Sequence, residues 1–348
     1  MNIGILTFHE ADSYGAVLQA YALQQALKTM GAQSQFVQIR TPEKPAGQAP
    51  APGVASVFAR RLQAEGEKRK ALFETFRREH MAVSRPYQPE EDIDADFDSF
   101  VAGSDQIWNF RIPGADARYF LPFAQPHKRN AYAASFGAED LPEHVKPWVA
   151  GQLSQFRSIS LREESGCGIV KELTDRDTPV CLDPTLLLSR EEWSKLLSAE
   201  EETEDYLLLF LLKYDEDLIT AAREAAKEQN LPLRTVTAAF MPQLGMASWN
   251  GTGVREWLTA IAKARCVYTN SFHGIVFSLI FGRPFRAALL TGELSTRNGR
   301  VRELLNFLGL SEALSHPILP DRNDVEARLQ PRRDASLAFL RNIVHDCE

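Results

Sequence analysis

This sequence predicts an α/β fold of two domains, each built on a parallel sheet. Strands alternate with helices in both halves of the chain, and that alternation implies parallel strands joined by helical crossovers. At 348 residues the chain exceeds the size at which one hydrophobic core stops growing. Successive strands end in small and polar residues, and open parallel sheets bind ligands at the carboxyl ends of their strands. The domains are expected at residues 1–188 and 189–348, facing each other across a cleft.

The first domain opens with a strand from Ile3 to Phe8, a polar turn, a helix from Ala16 to Met30 stopped by Gly31, and a strand from Gln35 to Ile39. Ala16, Ala20, Leu23, Leu27 and Met30 recur on one helix face, the spacing of a helix packed on a sheet. An insertion at about 41–80 follows. Its loop contains Pro42, Pro45, Pro50 and Pro52 and is expected to be exposed and mobile, and its charged helix runs from about Ser56 to His80.

Alternation then resumes. Phe100–Ala102 leads to Gly103-Ser104-Asp105, Asn130–Ala134 to Ser135, Ser158–Leu161 to Arg162-Glu163, and Val180–Leu182 to Asp183, with Pro184 marking the close of the domain. The second domain repeats the theme with strands at Tyr206–Leu212, Leu233–Val236 and Arg265–Tyr268, and helices at Asp217–Gln229 and Val254–Ala264. An apolar helical run, Ile275–Phe281, and a helix at Val301–Phe307 follow. A terminal helix at about Val325–Val344 is expected to cross back onto the first domain.

The net charge of -7 argues against a nucleic-acid or anionic-membrane surface while leaving room for a local basic pocket. There is no signal-peptide pattern and no membrane-length apolar run, so a cytoplasmic location is expected, with membrane association peripheral at most. The four cysteines have no metal spacing and read as reduced packing residues, Cys181 and Cys266 within strands. Phosphate-loop, dinucleotide and Gly-x-Ser-x-Gly motifs are absent, and neither a metal nor a cofactor is expected.

Of the seven histidines, His273 stands out, because Thr269-Asn270-Ser271-Phe272-His273-Gly274 joins an apolar strand to an apolar helix. A helix start there offers unpaired N–H groups and a positive dipole end to an anion. His273 is read equally as a catalytic group and as a buried structural one, and His9, ending the first strand, is read in the same two ways. Ser135, Asn270 and Asp183 read first as helix caps. Arg162 fits either a salt bridge or a bidentate grip on a carboxylate or phosphate. Arg297-Asn298-Gly299-Arg300 reads as a basic loop, solvated or closing over an anion.

Taken in order, Gly4-Ile5-Leu6-Thr7-Phe8-His9, Tyr14-Gly15-Ala16-Val17-Leu18-Gln19, Gly103-Ser104-Asp105-Gln106-Ile107-Trp108-Asn109, Leu161-Arg162-Glu163-Glu164-Ser165, Leu182-Asp183-Pro184-Thr185 and Thr269–Gly274 resemble the polysaccharide pyruvyl transferase family from the first strand to about Leu310. The resemblance implies a fold like the two-domain GT-B glycosyltransferases, with acceptor and donor on the first and second domains. It implies transfer of a pyruvyl group from phosphoenolpyruvate to a sugar or lipid-linked saccharide, as a cyclic ketal, in cell-surface polysaccharide synthesis. His273 then matches a catalytic-site histidine and Arg162 a donor-binding arginine. Asp105, with His9 and Asp12, would orient or deprotonate the acceptor, Arg297 and Arg300 would complete the phosphate grip, and Ser104, Asn270 and Ser271 would contribute substrate contacts.

Two positions depart from the family's pattern. Ser271 replaces a basic residue found in some members, which shifts phosphate binding toward Arg162, Arg297 or Arg300, and Ser13 stands where asparagine is frequent. Two other functions compete, a nucleotide-sugar-dependent GT-B glycosyltransferase and a non-catalytic sugar- or anion-binding module. The first would bind a nucleoside diphosphate and ignore phosphoenolpyruvate, and the second would bind without turnover.

Overall fold

The computed structural model describes residues 1–40, 57–88, 90–111, 116–198, 205–244 and 251–345, so the proline-rich segment of the insertion and Cys347 lie outside the described residues. The first half contains β1 (Asn2–Leu6), α1 (Tyr14–Thr29), β2 (Gln33–Ile39), α2 (Val57–His80), β3 (Val83–Tyr87), β4 (Ser99–Ala102), β5 (Arg129–Ala134), α3 (Lys146–Leu153), β6 (Ser158–Leu161) and α4 (Glu164–Thr174). Among the described residues its strands form a six-stranded sheet ordered β3-β2-β1-β4-β5-β6, parallel throughout.

After α5 (Arg190–Ser194) the second half runs β7 (Leu207–Leu211), α6 (Glu216–Glu228), β8 (Leu233–Thr237), α7 (Val254–Lys263), β9 (Cys266–Thr269), α8 (Phe272–Phe281), β10 (Phe285–Ala287), α9 (Gly299–Leu308) and α10 (Arg322–His345). Its four-stranded sheet, ordered β10-β9-β7-β8, is also parallel.

The structure adds two edge strands and reduces one expected strand to a bridge. β3 carries Pro86 and β10 is three residues long, and both lie at sheet edges, where a proline or a short pairing is tolerated. The expected strand Val180–Leu182 is only an isolated bridge between Leu161 and Val180. Beyond that bridge, the Leu182 N–H donates to the Ser336 hydroxyl of α10 at 2.9 Å, which takes it out of reach of a strand neighbour.

Helix α1 was expected to bury one face, but Tyr14 through Ala20 are buried without interruption. β2 covers one side, and α7, α10 and the turn at Pro184–Leu186 cover the rest. Gly15, Ala16 and Ala20 keep the helix thin enough for neighbours on every side. The amide nitrogen of the buried Gln19 donates to the Thr7 hydroxyl at 2.9 Å and to the Ala16 carbonyl at 2.8 Å. Tyr14 carries the contact into the second half, stacking on Trp257 with centroids 5.0 Å apart and donating to the Thr252 carbonyl at 2.9 Å. One continuous apolar cluster therefore runs from Ile3 and Leu23 to Phe210, Trp257 and Phe277.

Helix α10 crosses back as expected. Besides the Ser336 contact, Arg333 donates to the Leu186 carbonyl at 2.9 Å, and Phe339 meets Tyr132. Ser336→Ala would leave the buried Leu182 N–H unsatisfied, and is expected to lower unfolding free energy by about 1–3 kcal/mol in chemical denaturation. An unchanged transition would show that this bond does not hold the helix. No helix among the described residues is long and apolar enough to cross a membrane. Cys167, Cys181 and Cys266 are free thiols; Cys266 lies in a strand, whereas Cys181 lies beyond the isolated bridge.

Candidate active site

The two sheets present the carboxyl ends of their strands to a shared cavity of about 260 Å³. The first half contributes Phe8 and Ala11–Ala16 after β1, Asp105 and Gln106 after β4, and Arg69 from α2; the second contributes Phe210, Leu212, Ala238, Ser271–His273, Arg297 and Arg300. The amino-terminal ends of α1 and α8 and the first turn of α9 all reach this wall, and the N–H groups of such turns favour an anion. Hollows of about 620 and 940 Å³ elsewhere contain none of the candidate site residues.

Helix α8 starts at Phe272, before the apolar run, because Ser271 caps it, its hydroxyl accepting from the Gly274 N–H at 3.3 Å. His273 consequently sits inside the first helical turn rather than on the turn before it. Its ring lies over α1 at Gly15, where a Cβ would come within 2.0 Å of Nδ1. Its Nε2 faces the Asp183 carboxylate at 3.5 Å.

Beneath this wall lies a buried charge cluster. The Arg162 guanidinium donates to Asp183 Oδ2 at 2.8 Å and stands 3.6 Å from Asp105 and 3.8 Å from Glu163. Arg300, from α9, approaches Asp105 only to 3.9 Å. Both guanidiniums lie against the Phe272 ring, at 5.5 and 5.2 Å from its centroid. Arg162 Nε and Nη2, and Arg300 Nε and Nη1, are buried donors without hydrogen-bond partners among the described residues. Asp105 is held at φ 80°, an uncommon conformation for a residue other than glycine, where the chain bridges to Ala134.

The two arginines differ electrically. Burial opposes the charge of Arg162, but Asp183, Asp105 and Glu163 outweigh it and raise the pKa. Burial pushes Arg300 down to about 10, and the neighbouring Arg162 charge adds to the effect beyond what the carboxylates return. Burial also lowers Arg297, against the pull of Asp105. Burial would raise Asp183, yet His273, Arg162 and Thr185 hold it well below the usual carboxylate range. An anion in the cavity would therefore relieve Arg300 and Arg297 more than Arg162.

His273, Asp105, Asp12, Ser271, Arg297 and Arg300 thus line one cavity, with Arg162 directly behind it. Asp12 is held there by Arg77 at 3.0 Å. The remaining three residues point elsewhere. β1 ends at Leu6, not Phe8, so His9 falls in the following turn, stacks on Phe36 and has its Nδ1 3.1 Å from the Thr7 carbonyl; burial lowers its pKa. Ser104 is fully buried, and its carbonyl accepts from Thr7. Asn270 ties the ends of two strands, accepting from Leu212 N–H at 2.8 Å and donating to the Lys213 carbonyl at 2.7 Å, while Ser271 provides the cap.

Asp183 does cap, accepting from Thr185 N–H at 3.1 Å, but it also joins Arg162 to His273. Its other two partners lie far along the chain, so local sequence offers only the cap. Ser135 donates to Glu163 at 2.6 Å instead of capping a helix. Arg69 escaped sequence reasoning because it looks like one more charge on a solvated helix. In the fold it is buried, lies over the Tyr14 ring and donates to the Thr237 carbonyl at 2.9 Å.

The whole chain is similar in fold to a protein assigned as a UDP-N-acetylglucosamine 2-epimerase from Listeria monocytogenes, with 11% identity, a TM-score of 0.51, and 99% of this chain and 97% of that one covered. At that identity the likeness is one of fold alone, the two-domain GT-B arrangement. A UDP-GlcNAc 2-epimerase from Neisseria meningitidis bound to UDP-GlcNAc also aligns, at 11% identity and a TM-score of 0.45, over 95% of this chain and 99% of that one. No curated protein matches in sequence. The family model described as polysaccharide pyruvyl transferase matches residues 14–288, a narrower span than the resemblance from the first strand to Leu310. That span takes in Asp105, Arg162, Asp183 and His273, though not Arg297 or Arg300, and covers most of the chain, which belongs to the polysaccharide pyruvyl transferase family.

Proposed function

We propose that the protein transfers a pyruvyl group from phosphoenolpyruvate to two hydroxyls of one sugar in a cell-surface polysaccharide or its precursor, forming a cyclic ketal in the cytoplasm. The observation that carries this reading is Arg300, a largely enclosed cation whose Nε and Nη1 are buried without partners among the described residues and whose pKa is lowered, on a wall shared with Arg297 and helix amino termini. Such a wall suits a small anion carrying both phosphate and carboxylate.

In this reading residues 189–348 are the main donor side and residues 1–188 the main acceptor side, with α1 and Arg162 reaching the donor from the first half. Arg300, Arg297 and the first turns of α1 and α8 receive phosphate and carboxylate, with Arg162 behind them. The donor methylene gains a proton, one hydroxyl adds to the adjacent carbon, phosphate leaves, and the second hydroxyl closes the ketal. Two hydroxyl protons are released; one balances the new methyl group and the other leaves with phosphate. His273 serves proton transfer and Asp105 accepts from an attacking hydroxyl, while Asp12 and Ser271 orient the sugar.

The test compares phosphoenolpyruvate with nucleotide sugars in thermal shift, then measures phosphate release with saccharide acceptors. Phosphoenolpyruvate should stabilise the protein, and His273→Ala should retain that stabilisation while turnover drops roughly 10²-fold or more. Stabilisation by nucleotide sugars alone would favour a glycosyltransferase. Donor binding without phosphate release across acceptors would favour a binding module.

A further inference from the structure

We propose that Asp183 is the positioning residue of this site, holding His273 with its Nε2–H toward the carboxylate and its Nδ1 lone pair toward the first turn of α1. Only the consequence for proton transfer rests on the pyruvyl transferase reading; the orientation itself stands on geometry.

The Asp183 side chain is wholly buried and its orientation is over-determined. Oδ1 accepts from the Thr185 N–H at 3.1 Å and from the Thr185 hydroxyl at 2.7 Å, and Oδ2 accepts from Arg162 at 2.8 Å. The same Oδ2 faces His273 Nε2 at 3.5 Å, longer than a hydrogen bond, as such pairs often are before substrate tightens them. An ionised carboxylate only accepts, so a neutral imidazole facing it must carry its single proton on Nε2. Nδ1 is then the acceptor.

Packing fixes the ring as well. Gly15, which shares the cavity wall with His273, has no Cβ, and that absence is what admits Nδ1 to the first turn of α1. Phe272 stands edge-on to the ring, 5.2 Å away. Asp183 therefore ties a first-half arginine to a second-half histidine and directs the free nitrogen toward the cavity. In the proposed reaction Nδ1 would take a hydroxyl proton and return it to the donor methylene carbon.

Long-range proton–nitrogen NMR on full-length protein carrying ¹⁵N-histidine reads the tautomer directly, with the His273 signals assigned by their loss in His273→Gln. The neutral wild-type ring should be the Nε2–H form. In folded Asp183→Asn the Nδ1–H form should gain population and turnover should fall by about 10²-fold or more, while the Michaelis constant for phosphoenolpyruvate changes less than about tenfold. A wild-type Nδ1–H tautomer overturns the proposal even if the variant does not fold. So does a folded variant with unchanged tautomer and turnover. A wild-type protein with the Nε2–H form but no phosphoenolpyruvate turnover rejects the reaction and keeps the positioning role.

Discussion

Arg162→Met is expected to lower the unfolding free energy by about 3–5 kcal/mol, the usual cost of removing one partner from a buried ion cluster. Methionine restores much of the stem volume, so the loss is electrostatic. Among the described residues Asp183 and Glu163 would remain buried beside Asp105 with only His273, 3.5 Å from Asp183, and Arg300, 3.9 Å from Asp105, left near them. Denaturant unfolding followed by tryptophan fluorescence and by helical circular dichroism would measure it. A midpoint equal to wild type would mean that the cluster is solvated in solution. Arg162→Lys keeps the charge but loses the planar fork, and should fold while raising the Michaelis constant for phosphoenolpyruvate.

Gly15→Ala should cripple activity from a position that bears no functional group. Its Cβ would stand 2.0 Å from His273 Nδ1 and 2.5 Å from Cε1, closer than any tolerated contact. The ring cannot yield easily, because Asp183 lies beyond its Nε2 and Phe272 beside it. Turnover should fall about as far as in His273→Ala, roughly 10²-fold, and overpacking should cost about 1–3 kcal/mol of stability. Gly168→Ala in α4 is the control, since a Cβ there meets nothing within 4 Å. Near-normal turnover in folded Gly15→Ala would show that His273 can work from another rotamer.

Much of this architecture is legible in the chain because it is local. Strand–helix alternation, the glycine stop at Gly31 and the polar or charged residues after β4, β6 and β9 are short-range signals, and they place Asp105, Arg162 and Ser271–His273 at strand ends. Element boundaries shift where side chains cap them, as Ser271 does for α8. The edge strands are less legible, because an edge pairing needs neither length nor an apolar pattern.

Alternating segments and polar strand ends were enough to determine two parallel sheets with a polar rim. Only the tertiary structure decided which of those polar residues meet. His9 and Asp12 are three residues apart, yet one stacks on Phe36 and the other lines the cavity. Asp183 reads as a cap until Arg162 and His273 arrive from opposite halves, and α1 reads as one-sided until α7 and α10 cover its other face. Periodicity describes the faces of a single element, whereas burial and charge pairing depend on segments that folding brings together from far along the chain.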